Sequence, residues 1–213
     1  MESLRVRDSC CQSDIDVSAL HTRQRRILII VLVINAATFL MMVFAAMISG
    51  SSSLLSGALD NFGDAITYAL SLLVVGASGA AKARVAVFKG FLIFGAALAV
   101  AFQISWRILH PEIPVFEAMG IAALLNLAAN FLCLWLLTPY REGDVNMSSA
   151  WECSRNDVSE GFAVIAAALA VWAFESGWPD LVIAIGLLVM FLRSAARILR
   201  GAWQELHPAL PRD

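Results

Sequence analysis

The chain has 213 residues, of which 60% are hydrophobic and 15% are charged. A soluble domain has about 45–50% apolar and about 25% charged residues, so this composition excludes an ordinary soluble domain and indicates a polytopic membrane protein. The formal net charge is −2, and no basic cluster interleaved with aromatic residues occurs along the sequence, which argues against nucleic-acid binding.

Six segments predict membrane-spanning helices, which gives an all-α fold. A polar leader precedes them. The apolar run that follows this leader is too long for the hydrophobic region of a signal peptide, so we expect it to be an uncleaved first membrane helix. We expect a leader at 1–26, a six-helix membrane domain at 27–199 and a short tail at 200–213. The predicted spans are 27–48, 54–78, 90–109, 115–137, 146–174 and 180–199.

The charges between the spans predict the orientation of the helices. Basic residues concentrate in the leader, in the loop with Lys82, Arg84 and Lys89, and after the sixth span. Acidic residues such as Glu112 and Glu175 mark the opposite side. The positive-inside rule therefore places both termini in the cytoplasm of a multi-pass protein in a cell membrane, and we expect a bacterial inner membrane.

Two carboxylates stand inside the second span. Asp60 and Asp64 are four residues apart, so they share one face of a helix, one turn from each other. An ionised carboxylate at hydrocarbon depth is costly unless it is paired, hydrated or bound to a cation. A helix end in the lipid headgroups is the alternative, but apolar sequence continues on both sides of the pair. The pair therefore predicts half of a cation site.

The fifth span offers a second pair with the same spacing, Cys153 and Asp157. Asp60 lies about 14 Å from the outer end of its span and Cys153 about 11 Å from the inner end of its own, at about 1.5 Å per residue. In a hydrocarbon core about 30 Å thick, the two pairs can meet near the midplane. Three carboxylates and one thiolate fit a tetrahedral metal site.

The ligand types indicate which cargo the site would take. Carboxylates alone suit magnesium, manganese or calcium, whereas a thiolate moves the preference toward zinc, cadmium or cobalt. Because ligands must be deprotonated to bind, metal binding releases protons. In a membrane with a proton gradient this linkage predicts a divalent-metal exporter that works by proton antiport, with no prosthetic group.

Three stretches together resemble the cation diffusion facilitator family over about residues 27–205: SGSSSLLSGALDNFGDAITYALSLL, NMSSAWECSRNDVSEGFAVIAAAL and GWPDLVIAIGLLVMFLRSAARIL. The resemblance implies six spans, cytoplasmic termini and a homodimer. It also implies a metal site made by Asp60, Asp64, Cys153 and Asp157.

The chain departs from the family pattern in two ways. The family's zinc transporters have a histidine where Cys153 stands, so the metal preference is open between zinc, cadmium and cobalt. The family also carries a cytoplasmic domain after the sixth span, whereas this sequence ends at Asp213. We therefore expect a short form in which dimer contacts come from the membrane helices.

Two other classes of function stay open. One is an exporter of organic cations that uses the same carboxylates; the other is a membrane metal sensor or partner subunit that does not transport. An enzyme is not expected, because the sequence has no nucleophile-and-base arrangement and no phosphate loop.

Other polar residues have plainer interpretations. Cys10 and Cys11 are an adjacent pair in the leader, and Cys133 is expected to pack in the interior. His110 with Glu112 could form an exit site for the metal on the outer side of the membrane. We prefer the interpretation that the two residues cap the loop in which they lie. We expect Asn35 and Asn130 to form interhelical hydrogen bonds and Asp180 to cap the start of the sixth helix.

Overall fold

The computed structural model describes residues 22–73, 79–142 and 145–206. It folds them into six long helices and a 3₁₀ turn at Thr138–Tyr140, with no strand in these ranges, which confirms the predicted all-α fold. The helices are α1 (Thr22–Ser49), α2 (Ser52–Leu73), α3 (Gly79–Leu109), α4 (Phe116–Leu137), α5 (Val145–Phe174) and α6 (Trp178–Leu206). The leader pair Cys10 and Cys11, as well as His21 and His207, lie outside the described residues.

The third helix begins earlier than the sequence predicts. Residues 79–89, with Lys82, Arg84 and Lys89, were expected as a loop before the span at 90–109, and that expectation is wrong. Alanine, lysine and arginine are strong helix formers, so the helix continues beyond the apolar stretch. A membrane boundary and a helix boundary are different things, and only the former follows from apolar composition.

Four helices are long and apolar enough to cross a membrane, judged by length and composition: Arg23–Ser49, Gly90–Leu109, Phe116–Tyr140 and Ala150–Phe174. The other two, α2 and α6, have 22 and 29 residues. At about 1.5 Å per residue both exceed a hydrocarbon core of about 30 Å. The serines and carboxylates of α2 make it more polar than its neighbours.

Helix α2 lies at the centre of the bundle and contacts each of the other five helices. Around it, α1 packs against α4, α4 against α5, and α3 against α6. Among the described residues, every large hydrophobic side chain that is exposed belongs to another helix or to a loop. Phe44 on α1, Phe102 on α3 and Trp172 on α5 are examples, each at least 64% exposed. Such broad apolar surfaces require an apolar surrounding, as the interior of a membrane provides.

A buried carboxylate of α6 holds the beginning of α2. Asp180, 1% exposed, accepts hydrogen bonds from Ser51 Oγ at 2.6 Å, from the Ser52 backbone N–H at 2.7 Å and from the Ser53 backbone N–H at 3.0 Å. The N–H groups of a first helical turn have no partner within the helix, and a negative charge there also favours the helix dipole. The expectation that Asp180 caps its own helix is therefore wrong: it caps α2.

The turn before α2 is shaped for this contact. Gly50 has a φ of +70°, a backbone conformation that a residue with a Cβ rarely adopts. A Cβ at this position would also collide with the guanidinium of Arg107 at the end of α3. The glycine therefore allows α1 to reverse directly into α2 while α3 closes over the turn.

Replacement of Asp180 with alanine should destabilise the protein, because it leaves two backbone N–H groups at the start of α2 without their acceptor. The expected loss in the free energy of unfolding is about 1–3 kcal/mol. It would be measured in detergent, where the variant should also unfold at a lower temperature. Glu175→Ala is the matched control, since that exposed acid lies on the same side of the bundle. Equal stability of the two variants would contradict the capping role.

Candidate metal-transport site

The two carboxylates of α2 lie well inside the bundle. Asp64 is 3% exposed and Asp60 is half-buried, and both come from the middle of a helix that has protein on all sides. One turn after Asp64 along α2, Tyr68 donates a long hydrogen bond of 3.5 Å from its hydroxyl to Asp64 Oδ2. The carboxylates are therefore sheltered from lipid by neighbouring helices, as the cost of ionised groups in hydrocarbon demands.

The fifth helix brings its own predicted pair to the same region. Cys153 and Asp157 are each 3% exposed, and Cys153 does not form a disulfide. The side chain of Asp60 lies within hydrogen-bonding reach of Asp157. The structure therefore brings together one predicted acid of each helix, Asp60 and Asp157, inside the bundle.

The arrangement is open, not a closed coordination sphere. Among the described residues, no group of three or more His, Cys, Asp or Glu side chains is close enough to hold a metal ion. The direct contact is between one acid of each helix. Binding a cation to all four predicted residues, Asp60, Asp64, Cys153 and Asp157, would need the helices or their side chains to close further.

A small residue allows α2 and α5 to come close together. A Cβ built on Gly57 would lie 3.4 Å from Met42 of α1 and 3.6 Å from Val164 of α5. Helices in membranes associate by van der Waals packing, and small residues let their backbones approach. Gly57 lies one turn before Asp60 on α2. Its close packing therefore sets the distances between α1, α2 and α5 in the turn next to the acids.

An amide pair beside the acids was not predicted as such. Asn61 donates from Nδ2 to Asn126 Oδ1 of α4 at 2.8 Å, and the two side chains are 1% and 5% exposed. Of the two asparagines that the sequence predicts to bond between helices, Asn35 instead donates to the Val31 carbonyl of its own helix at 2.9 Å. The interhelical bond of Asn130 stays a prediction. Spacing within α2 gives no signal for this pair, because the partner of Asn61 lies on another helix.

The structure also shows the contacts of Cys133 and of the pair His110 and Glu112. Cys133 is 1% exposed in an apolar cluster with Tyr68 and Ala150, which confirms its packing role. At the outer loops, Glu112 forms an ion pair with Arg107, and the ring of His110 stacks on Trp106 at 4.1 Å. These contacts favour the loop-cap reading over an exit site built from His110 and Glu112.

The helical part of the chain matches a known family. The model of the cation efflux transmembrane domain matches residues 28–207. The chain belongs to the cation efflux family. This confirms the resemblance to the cation diffusion facilitators and identifies a multi-pass membrane protein of a transporter family.

Two relatives in this family are zinc transporters by name. The zinc transporter ZitB of Yersinia pestis is 27% identical over 200 residues, which is 85% of this chain and 64% of that protein. The zinc transporter ZitB of Yersinia pseudotuberculosis serotype I (strain IP32953) is 26% identical over 137 residues, 61% of this chain and 43% of that protein. The chain thus spans less than two thirds of the length of either relative.

The hydrogen bond between Asn61 and Asn126 should couple α2 and α4 energetically. Asn61→Ala, Asn126→Ala and the double variant form a double-mutant cycle, read as unfolding free energy in mixed detergent micelles. We expect a coupling energy of about 0.6 kcal/mol, the mean for such bonds in membranes, and at most about 1.7 kcal/mol.

A cycle with Asn61→Ala and Asn35→Ala serves as the control, because Asn35 bonds within its own helix. A coupling for Asn61 and Asn126 no larger than that control would contradict the predicted link.

Proposed function

We propose that this protein exports divalent transition-metal ions of the zinc, cadmium and cobalt class in exchange for protons, from the cytoplasm across a bacterial inner membrane. The cargo would bind to Asp60 and Asp64 of α2 and to Cys153 and Asp157 of α5. The observation that carries the proposal is the meeting of Asp60 and Asp157 inside the bundle. Membership of the cation efflux family and the similarity to two named zinc transporters support it.

The contact between Asp60 and Asp157 supplies a means of coupling. Two carboxyl groups form a hydrogen bond only when one of them holds a proton, because an ionised carboxylate can only accept. A divalent cation needs both groups ionised, so its binding would expel that proton. Protons that return from the outer side would in turn displace the metal. One pair of side chains would thus hold either a proton or part of the cargo.

The mixed ligand set agrees with the proposed class of cargo. Carboxylate oxygen atoms alone would suit hard cations, while the thiolate of Cys153 adds a soft ligand. Zinc, cadmium and cobalt accept both types. We extend the proposal to a homodimer, in which each protomer carries its own site between α2 and α5.

Removal of Asp64 should abolish exchange. Purified protein would be placed in liposomes with a metal-sensing dye inside and an imposed pH gradient, and tested with zinc, cadmium, cobalt and manganese. We expect gradient-dependent uptake by the wild type and its loss in Asp64→Ala, since that variant lacks one of the two acids on α2. Glu117→Ala, an exposed acid of α4, is the control and should transport normally.

Other results would point to other functions. Tight metal binding by calorimetry without flux of any metal would favour a sensor or partner subunit. Neither flux nor binding would overturn the metal proposal and direct the search to organic cations.

The residue at position 153 should tune the preference among metals. Cys153→His replaces a soft thiolate with an imidazole, which suits zinc. We expect transport to be retained and the ratio of zinc to cadmium uptake to rise, measured by competition between the two metals in the same liposomes. A ratio equal to that of the wild type would show that residue 153 does not contact the cargo.

A further inference from the structure

Asn35 of α1 and Ser154 of α5 each bury a polar atom that has no hydrogen-bond partner among the described residues. The atoms are Asn35 Oδ1 and Ser154 Oγ, and the two residues are 1% and 0% exposed. Because Asn35 Nδ2 donates to the Val31 carbonyl, the orientation of the amide is set and Oδ1 is the acceptor that remains. Buried polar atoms are normally bonded to protein or to ordered water, so both atoms indicate a bound molecule beside them.

Ser154 differs in this respect from other hydroxyl residues of the helices. Thr67 Oγ1 donates to the Gly63 carbonyl at 2.6 Å, and Ser159 Oγ donates to the Arg155 carbonyl at 3.3 Å. A bond to the preceding turn is the common way in which a helical hydroxyl is satisfied. Within the described residues the hydroxyl of Ser154 has no such bond, and it stays available for another partner.

The packing of α1 against α2 places Asn35 level with Asp64. The two helices are antiparallel because only a short turn joins them. They meet where a Cβ built on Gly57 would lie 3.4 Å from Met42. Asn35 lies seven residues before Met42 on α1. Asp64 lies seven residues after Gly57 on α2, which brings it to the depth of Asn35.

Helix α5 brings Ser154 to the same depth. Three reversals of the chain separate α2 from α5, so these two helices are also antiparallel. Tyr68 of α2 and Ala150 of α5 belong to one apolar cluster. Ser154 lies four residues after Ala150, and Asp64 lies four residues before Tyr68. Ser154 and Asp64 therefore lie one turn to the same side of that cluster.

The carboxylate of Asp64 is directed toward the two helices that carry these atoms. A Cβ built on Gly57 would lie within 3.6 Å of Met42 on α1 and of Val164 on α5, so this face of α2 looks toward both helices. Residues seven apart share a helix face, since seven residues make about two turns. Asp64 is therefore on the face of α2 that looks toward α1 and α5.

The chemistry of the three groups suits a water molecule. A buried water molecule makes about three hydrogen bonds. Asn35 Oδ1 and an ionised Asp64 carboxylate accept hydrogen bonds, whereas the hydroxyl of Ser154 can donate one. A water molecule that donates to Asn35 and Asp64 and accepts from Ser154 keeps one lone pair, which can bind a cation.

We propose that Asn35 and Ser154 hold a water molecule that remains a ligand of the cargo, so that the metal ion binds beside Asp64 while partly hydrated. The inference rests on the proposed metal transport and adds two neutral residues to its site. A water ligand reduces the number of side chains that must reach the ion. This agrees with the open arrangement of the predicted ligands within the described residues.

The test uses cobalt bound to the purified protein in D₂O, where pulsed electron paramagnetic resonance counts the deuterated water molecules on the ion. We expect at least one water ligand in the wild type. Asn35→Leu and Ser154→Val should each lose a water ligand, because both put apolar atoms against it. Their affinity for cobalt, measured by calorimetry, should fall about 10–100-fold, the usual effect of removing a group that holds a metal ligand in place.

Thr38→Val and Ser159→Val are the matched controls on the same two helices. The hydroxyl of Thr38 donates to the Ile34 carbonyl of its own helix, and Ser159 is exposed. Both variants should have the water count and the cobalt affinity of the wild type.

Several outcomes would overturn the inference. Bound cobalt without a water ligand in the wild type would do so, as would an unchanged water count in both variants. A lower affinity with an unchanged water count would assign Asn35 and Ser154 a structural role only. If Ser154→Val fails to fold, Ser154→Ala decides: weaker cobalt binding than in Ser159→Ala supports the inference, and equal binding overturns it. A wild type that binds no cobalt would contradict the proposed class of cargo, and this inference with it.

Discussion

The structure is organised by the cost of placing carboxylates within a membrane. Asp60 and Asp64 make α2 unsuitable for contact with lipid, since ionised groups are strongly disfavoured in hydrocarbon. The fold meets this constraint by placing α2 at the centre, in contact with all five other helices. Those helices, in turn, carry the exposed apolar side chains. The division between a polar central helix and apolar outer helices follows from that one cost.

The contacts of α2 also explain how a helix with such polar residues keeps a defined position. Asp180 fixes its outer end, Asn61 links its middle to α4, and Gly57 lets it pack closely against α1 and α5. Each contact uses a different interaction: a charged cap, a neutral hydrogen bond and van der Waals packing. The acids are thereby held on rigid elements, which is what a site needs to discriminate among cations of similar size.

The sequence was sufficient for the local features and insufficient for the long-range ones. The i, i+4 spacing of Asp60 with Asp64 and of Cys153 with Asp157 placed each pair on one helix face, and the apolar segments between polar loops predicted six helices. The predicted start of α3 was too late, because the charged residues after Gly79 are good helix formers and extend the helix beyond its apolar part. The role of Asp180 and the pairing of Asn61 with Asn126 depend on distant partners, which spacing within one helix does not reveal.

The most direct measurement is X-ray absorption spectroscopy of the zinc- or cobalt-loaded protein, with Asp64→Ala and Asp157→Ala for comparison. Coordination by side chains of α2 and α5 predicts a first shell dominated by oxygen at about 2.0 Å, with at most one sulfur at about 2.3 Å. Both substitutions should change that shell. A spectrum of a fully hydrated ion, or one that neither substitution alters, would contradict binding of the cargo between these two helices.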